Sequence, residues 1–255
     1  MKQAVQKILG KFGYTIRRAS TLRGHNPGSV TRLIGVLELF LEDIRARGFA
    51  PRGILDVGAN RGEWTQLALS VFPSVPVIMI EPQKEMEACL TQITRDQPAC
   101  HFIKAGAGRT PGELVQTISE DHAGSSFLPA ANPDLIQSGK QRKTKMVTLD
   151  QVVAEIHPKF VPDLVKLDIQ GFELEALSGA ETLFGRTELF ILEASLFAFM
   201  PGQPVVREVI TFMSARGYEL YDVAGFCRRP RDGALGQMDL AFVKASGRFR
   251  NTNEW

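Results

Sequence analysis

The chain is poor in the residues that staple or anchor a protein. It has three cysteines, Cys89, Cys100 and Cys227, among 255 residues. They form no Cys-x-x-Cys pair, and no histidine stands at zinc-ligand spacing from them, which argues against a structural zinc site. So sparse and odd a count suits a reducing compartment, and a cytoplasmic location is expected. Basic residues interrupt every short apolar run near the start, so a secretory leader is not expected. No uninterrupted apolar stretch reaches bilayer-spanning length. Internal repeats and low-complexity tracts are absent too. The formal net charge is only +2, so the molecule as a whole does not read as a nucleic-acid binder.

Acid is missing from one region altogether. Residues 1–24 carry Lys2, Lys7, Lys11, Arg17, Arg18 and Arg23, and the first acidic residue is Glu38. Such a segment can dock on an anionic surface, on a phosphate-bearing substrate or peripherally on the inner face of a membrane. The competing expectation is a solvated leader. Val5, Ile8, Leu9 and Phe12 have helical spacing, His25-Asn26-Pro27-Gly28 forms a breaker, and Leu33, Val36, Leu37, Phe40, Leu41 and Ile44 predict a helix over 29–47 capped by Gly48. Residues 1–48 are thus expected to be a basic helical extension.

Beyond it the pattern changes to short apolar runs alternating with helical periodicity. Strands are predicted at 54–58, 77–81, 100–105, 163–168, 188–193, 218–223 and 239–244, with helices at 62–72, 83–96, 149–157, 172–184 and 204–216. That rhythm argues for a doubly wound α/β sheet. The connection 224–238 has no helix pattern, so the last two strands should be antiparallel, giving a seven-stranded sheet whose final strand runs against the rest. Residues 106–147, rich in Gly, Ser, Pro and Asn, interrupt the rhythm with strand-like runs near 113–118 and 144–148. They read as an inserted hairpin or lid over the carboxyl edge of the sheet.

The first predicted strand leads through Asp56, Gly58, Asn60 and Gly62 into a helix. Glycines permit tight turning and close approach of a ligand to backbone, at a helix start rich in free N–H groups. The spacing G-x-N-x-G lacks the third glycine of the dinucleotide fingerprint G-x-G-x-x-G. It suits a ligand with a charged amino-acid end, whose ammonium Asp56 could meet. Glu81 ends the second strand, where an acid can accept hydrogen bonds from both ribose hydroxyls. An ordinary α/β turn with a surface Glu is the plainer alternative.

These residues resemble the FkbM-type methyltransferases, within the seven-stranded class of S-adenosylmethionine enzymes. The resemblance rests on residues 54–65 (ILDVGANRGEWT), 77–90 (VIMIEPQKEMEACL), 163–180 (DLVKLDIQGFELEALSGA), 189–196 (LFILEASL), 217–225 (GYELYDVAG) and 237–244 (QMDLAFVK). It covers roughly residues 50–245. It implies S-adenosylmethionine as cofactor, bound by Asp56, Gly58, Asn60, Gly62 and Glu81, and methyl transfer generally to a hydroxyl oxygen. Implied acceptors are natural products or the sugars of bacterial glycans and glycolipids. The methyltransferase domain would occupy 49–245, with 246–255 a C-terminal tail. One departure concerns the third strand. Many enzymes of the class place an acid after it for the adenine amine, and Ala105-Gly106-Ala107 offers only backbone.

A hydroxyl needs a base. Asp168 ends the fourth strand beside the switch point of the sheet, and alternation puts Lys166, Asp168 and Gln170 on one face. A helix cap, or pairing with Lys166, is the plainer role for Asp168. Glu193 ends the fifth strand and is a second catalytic candidate. Glu173 begins the helix after Asp168, where charge on the first turn is the expected role. Asp168 and Glu193 together are also candidate ligands for Mg²⁺. His122, in the insertion, is a third candidate base, although an exposed loop histidine is the commoner case. Ser125 and Ser126 resemble a double-serine segment of the family and are candidate cofactor contacts. His25, His101 and His157 read as turn, strand and helix-end residues without a role. Arg228, Arg229 and Arg231 would clamp a phosphate or an acidic sugar, or simply solubilise the surface.

Two rivals stand against this reading. A nicotinamide-dependent oxidoreductase would need the third glycine and a proton relay, and the only tyrosines are Tyr14, Tyr218 and Tyr221. A non-catalytic nucleoside-binding or scaffold protein retaining the fold would be expected to have lost the loop glycines, Glu81 or Asp168, and all are present.

Overall fold

The computed structural model describes residues 32–156 and 160–254. The basic segment 1–24, His25 and His157 lie outside the described residues.

Helix α1 (Leu37–Ala46) buries Leu39, Phe40, Leu41 and Ile44. The helix expected over 29–47 is therefore shorter at its start. Gly35 has φ +75° and its N–H donates to the Val223 carbonyl at 3.1 Å, a conformation incompatible with a helical turn. Leu33 and Ile34 beside it are exposed.

Then follow β1 (Ile54–Val57), α2 (Glu63–Val71), β2 (Val77–Ile80), a 3-10 turn (Lys84–Met86), α3 (Glu87–Asp96) and β3 (Cys100–Ile103). The insertion contributes β4 (Gly106–Ala107), β5 (Gly112–Thr117), α4 (Pro133–Gln137) and β6 (Gln141–Val147). After α5 (Leu149–Ile156) come β7 (Leu164–Leu167), α6 (Glu173–Leu177), β8 (Leu189–Ser195), α7 (Val206–Ser214), β9 (Tyr218–Arg228) and β10 (Leu235–Lys244). The main sheet has seven strands in the order β3-β2-β1-β7-β8-β10-β9. β10 runs antiparallel to both of its neighbours, as expected. A second sheet, β4-β6-β5, forms from the insertion.

Strand alternation divides the core in two. Leu55, Val57, Ile78, Ile80, Val165 and Leu167 face α5, α6 and α7. Ile54, Val77, Met79, Leu164 and Ile191 face α1, α2 and α3. Because both faces are covered, the central strands are apolar throughout except at a few positions. Those exceptions mark the site described below.

Two further sequence expectations are corrected. The helix predicted over 172–184 stops at Leu177, and a separate 3-10 turn spans Glu181–Leu183. Between them a Cβ at Gly179 would stand 2.4 Å from the Gly108 carbonyl oxygen, so the backbones touch there and the helix cannot continue on its axis. The long loop expected at 224–238 is mostly strand. β9 and β10 extend to Arg228 and Leu235, with three register shifts along their pairing. Bulges of this kind break the two-residue period by which strands are read.

Gly58, φ +80°, leads β1 into its loop, and a Cβ on it would stand 2.0 Å from the Asp168 carbonyl oxygen. Gly233, φ +72°, has open space where a Cβ would go. Gly58→Ala should therefore lower stability by roughly 3 kcal/mol or more, against about 1 kcal/mol for Gly233→Ala, as measured by denaturant unfolding. Equal effects would disprove the close approach.

Candidate active site

The loop after β1 is drawn onto the end of β2. The N–H groups of Gly58 and Ala59 both donate to the Ile80 carbonyl, at 2.9 and 3.1 Å. The Asn60 N–H donates to Glu81 Oε2 at 2.9 Å, and the Gln83 N–H to Glu81 Oε1 at 2.9 Å. Glu81 is buried. Burial raises its carboxyl above the usual value, and the two backbone N–H groups oppose the rise. Each of its oxygens accepts one backbone bond here and keeps further acceptor capacity.

Beneath the loop, Asp56 is completely buried. Thr65 donates to its Oδ2 at 2.6 Å, and Lys166 Nζ lies 3.6 Å from its Oδ1. The ammonium that faces Asp56 here is that of Lys166, at ion-pair and not hydrogen-bond distance. The glycines are likewise needed for protein packing: Gly58 against Asp168, and Gly62, φ +77°, against Ile93, whose Cδ1 would stand 2.2 Å from a Cβ.

A row of charged groups crosses the same face of the sheet. Asp56 pairs in register with Lys166, and Glu193 pairs with Asp239 across β8 and β10. Asp168, one residue beyond β7, continues the register Leu167↔Leu192 into line with Glu193. Lys166 Nζ lies 3.3 Å from Asp168 Oδ2 and 3.4 Å from the Gly58 carbonyl oxygen. The Gln170 amide donates to both Asp168 Oδ1, at 2.9 Å, and Glu193 Oε2, at 2.8 Å. Burial disfavours the charge on Lys166, but Asp168, Asp56 and Asp239 outweigh it and hold the group above its ordinary value. Burial, then Asp168, Glu173 and Asp239, push Glu193 well up, with Lys166 opposing. Burial and Asp168 raise Asp239 to about 7. The Asp168 side chain remains 27% exposed, whereas Asp56 and Glu193 are buried.

Asp168 and Glu193 are thus brought together, but by an N–H donor. A cation between them would have to displace the Gln170 amide and sit beside the Lys166 ammonium. Among the described residues no group of three or more His, Cys, Asp or Glu is arranged to hold a metal. The residues do not fit the expected Mg²⁺ site.

The insertion is clasped onto this edge by its serines. Ser125 Oγ donates to Gln83 Oε1 at 3.1 Å, beside Glu81, and Ser126 Oγ donates to the Gln170 carbonyl at 2.9 Å, beside Asp168. The Arg142–Glu85 pair, with both guanidinium bonds between 2.7 and 2.8 Å, adds a third tie. His122 joins Gln83 and does not contact Asp168 or Glu193: its Nδ1 lies 3.2 Å from Gln83 Oε1 and its carbonyl accepts from Gln83 Nε2 at 2.9 Å. Asn60, Ser74, His122 and Gln170 are the non-glycine residues with positive φ among those described. Three of the four lie in this cluster, where hydrogen bonds hold a costly backbone in place.

Glu173 is buried and has an internal role, its Oε1 accepting from the N–H groups of Ile169, at 2.9 Å, and Gly171, at 3.2 Å. Arg229 pairs with Asp232 and stacks on Phe197 at 3.8 Å, and Arg228 binds the Gly233 carbonyl. These two arginines hold their own turn. Sequence reasoning missed Gln83 and Asp239. A glutamine two residues after Glu81, and an acid in an otherwise apolar last strand, were the available signals.

A model of the methyltransferase FkbM domain matches residues 56–220. The chain belongs to the FkbM methyltransferase family. Structures similar to it include an FkbM methyltransferase from Methylobacillus flagellatus KT, 18% identical, with TM-score 0.49, covering 76% of this chain and 43% of that one. The chain therefore spans less than half the length of that family member. Another is the 1,6-didemethyltoxoflavin-N1-methyltransferase of Burkholderia thailandensis with bound 1,6-didemethyltoxoflavin and S-adenosylhomocysteine, 13% identical, TM-score 0.45, covering 82% of this chain and 76% of that one. A putative RNA methyltransferase from Pyrococcus horikoshii is 14% identical, with TM-score 0.46, covering 96% and 99%. No curated protein sequence matches the chain significantly.

Burial raises the Glu173 carboxyl from 4.5 to about 7, against its backbone donors and with the help of Asp168. The folded chain therefore holds this proton more tightly than the unfolded one. The resulting stability is present below pH 4.5 and is lost as pH rises through about 7. Because both backbone bonds end on one oxygen, Glu173→Gln can keep them. Its melting temperature should exceed that of the parent at pH 8, by roughly 3 °C or more, and the gain should vanish near pH 4. A constant difference across that range would rule out the titration.

Proposed function

We propose that this chain is an S-adenosylmethionine-dependent O-methyltransferase. Its acceptor is a hydroxyl on a sugar, a glycolipid or a natural product, and it works in the cytoplasm or at the inner membrane face. Membership of a methyltransferase family supports methyl transfer. The observation that carries the finer reading is the contact between the cofactor loop and the carboxylate row, where Gly58 packs directly on Asp168. Among the described residues no helix is long and apolar enough to cross a membrane.

The residues fit the cofactor. Glu81 keeps acceptor capacity toward a ribose, and the loop 58–62 passes in front of it through the Asn60 bond. The cofactor supplies a methyl group already activated as a sulfonium. The chain must align an oxygen with that methyl, which can supply roughly 7–11 kcal/mol. It must also take the hydroxyl proton, which adds about 10²–10⁴-fold. Asp168 has the exposure to act as this base. Lys166 and the Gln170 amide hold its carboxylate, one at each oxygen. Glu193, raised by its burial and its neighbours, keeps the other side of Gln170 in place.

Calorimetry with S-adenosylhomocysteine should give a dissociation constant of micromolar order, about −8 kcal/mol. Glu81→Ala should weaken it at least about tenfold. Asp168→Asn should leave that affinity unchanged and lower turnover by about 10²–10⁴-fold on whichever hydroxyl acceptor is methylated. No binding to the parent protein would sink the cofactor reading, and full activity of Asp168→Asn would remove Asp168 as base.

A further inference from the structure

The Gln83 amide has only one workable orientation. The His122 carbonyl can only accept, so the Gln83 nitrogen must face it, at 2.9 Å. Gln83 Oε1 then faces His122 Nδ1 at 3.2 Å and accepts from Ser125 Oγ at 3.1 Å. An amide oxygen can only accept, so Nδ1 must carry the imidazole proton. In the neutral ring this leaves Nε2 as an acceptor, with no partner among the described residues. The same glutamine donates its backbone N–H to Glu81. The tautomer of His122 and the carboxylate of the nucleoside site are therefore set by one buried side chain. His122 itself is partly exposed and held at φ +64°.

A nucleoside seated with its ribose on Glu81 extends its base from that point. An adenine presents an exocyclic amine, a donor that needs an acceptor. The chain leaving β3 supplies none from side chains: Lys104 is a donor tied to Glu87 at 2.7 Å, and Ala105 and Gly106 follow. Glu85, after β2, is committed to the two-bond ion pair with Arg142.

We propose that His122, held as its Nδ1–H tautomer by Gln83, accepts a hydrogen bond from the adenine amine of the cofactor through Nε2. His122 thereby becomes a specificity residue for the nucleoside, and Gln83 a positioning residue acting through it. This rests on the cofactor reading above. It moves His122 from the chemistry of the acceptor to recognition of the base.

The test compares binding of S-adenosylhomocysteine with S-inosylhomocysteine, in which an oxo group replaces the amine. The parent protein should prefer the adenosyl compound by roughly tenfold or more. His122→Ala and Gln83→Met should reduce the preference to about twofold or less, by weakening the adenosyl compound while leaving inosyl affinity nearly unchanged. A variant that merely loosened the insertion would lose both ligands in parallel, and that outcome overturns the proposal. So does a parent protein that binds both compounds equally, or a His122→Ala that keeps the preference. Failure of the parent to bind either compound overturns the cofactor reading itself, and this inference with it.

Discussion

One buried ammonium organises the carboxyl edge of the sheet. Lys166 stands in the middle of a strand covered on both faces, within 3.6 Å of Asp56 and 3.3 Å of Asp168. Removing an ammonium and carboxylates from water costs several kcal/mol per ion, so such a group persists only where geometry and neighbours offset that cost. Here Asp56 is also held by Thr65 of α2, and Lys166 reaches the Gly58 carbonyl. The ion cluster therefore ties together β1, its loop, the first turn of α2 and the end of β7. Without the cation, the four carboxyl groups of the row would have no counter-charge inside the sheet.

The insertion depends on the same edge. Ser125 and Ser126 bind on opposite sides of β1, one at the exit of β2 through Gln83 and one at the exit of β7 through Gln170. Leu128 packs where a Cβ on Gly171 would stand, 2.6 Å away, and Phe127 meets Phe172 with ring centroids 5.5 Å apart. A segment read from composition as a lid is thus anchored by polar bonds, aromatic packing and the Arg142–Glu85 pair. Left-handed residues lie at each junction: Asn60 in the loop, His122 in the insertion and Gln170 beyond β7. Strain held by hydrogen bonds at three converging loops is the mark of a preorganised site.

Much of the fold was legible because it follows from periodicity. Apolar runs such as 77–80 and 189–192 have the composition of doubly covered strands, and the missing crossover helix before β10 disclosed its reversed direction. Errors fell where one backbone touches another. The break after Leu177 answers to Gly108, and the extended β9–β10 hairpin depends on bulges. Neither contact leaves a periodic trace in the chain.

The site divides in the same way. The sequence by itself determined which polar residues interrupt buried strands: Asp56, Lys166 and Glu193 stand out because apolar neighbours surround them. It also determined the loop glycines, since positive φ and close approach select that residue. Only the tertiary structure decided what each polar group faces. Register aligned Asp239 with Glu193, the turn at Gln170 placed an amide between the two candidate metal ligands, and the clasp at Gln83 carried His122 to the Glu81 side of the edge. The physical reason is range. Burial and backbone conformation are imposed locally along a strand or turn, whereas a hydrogen-bond partner is chosen across strands that are distant in the chain and adjacent only once the sheet has formed.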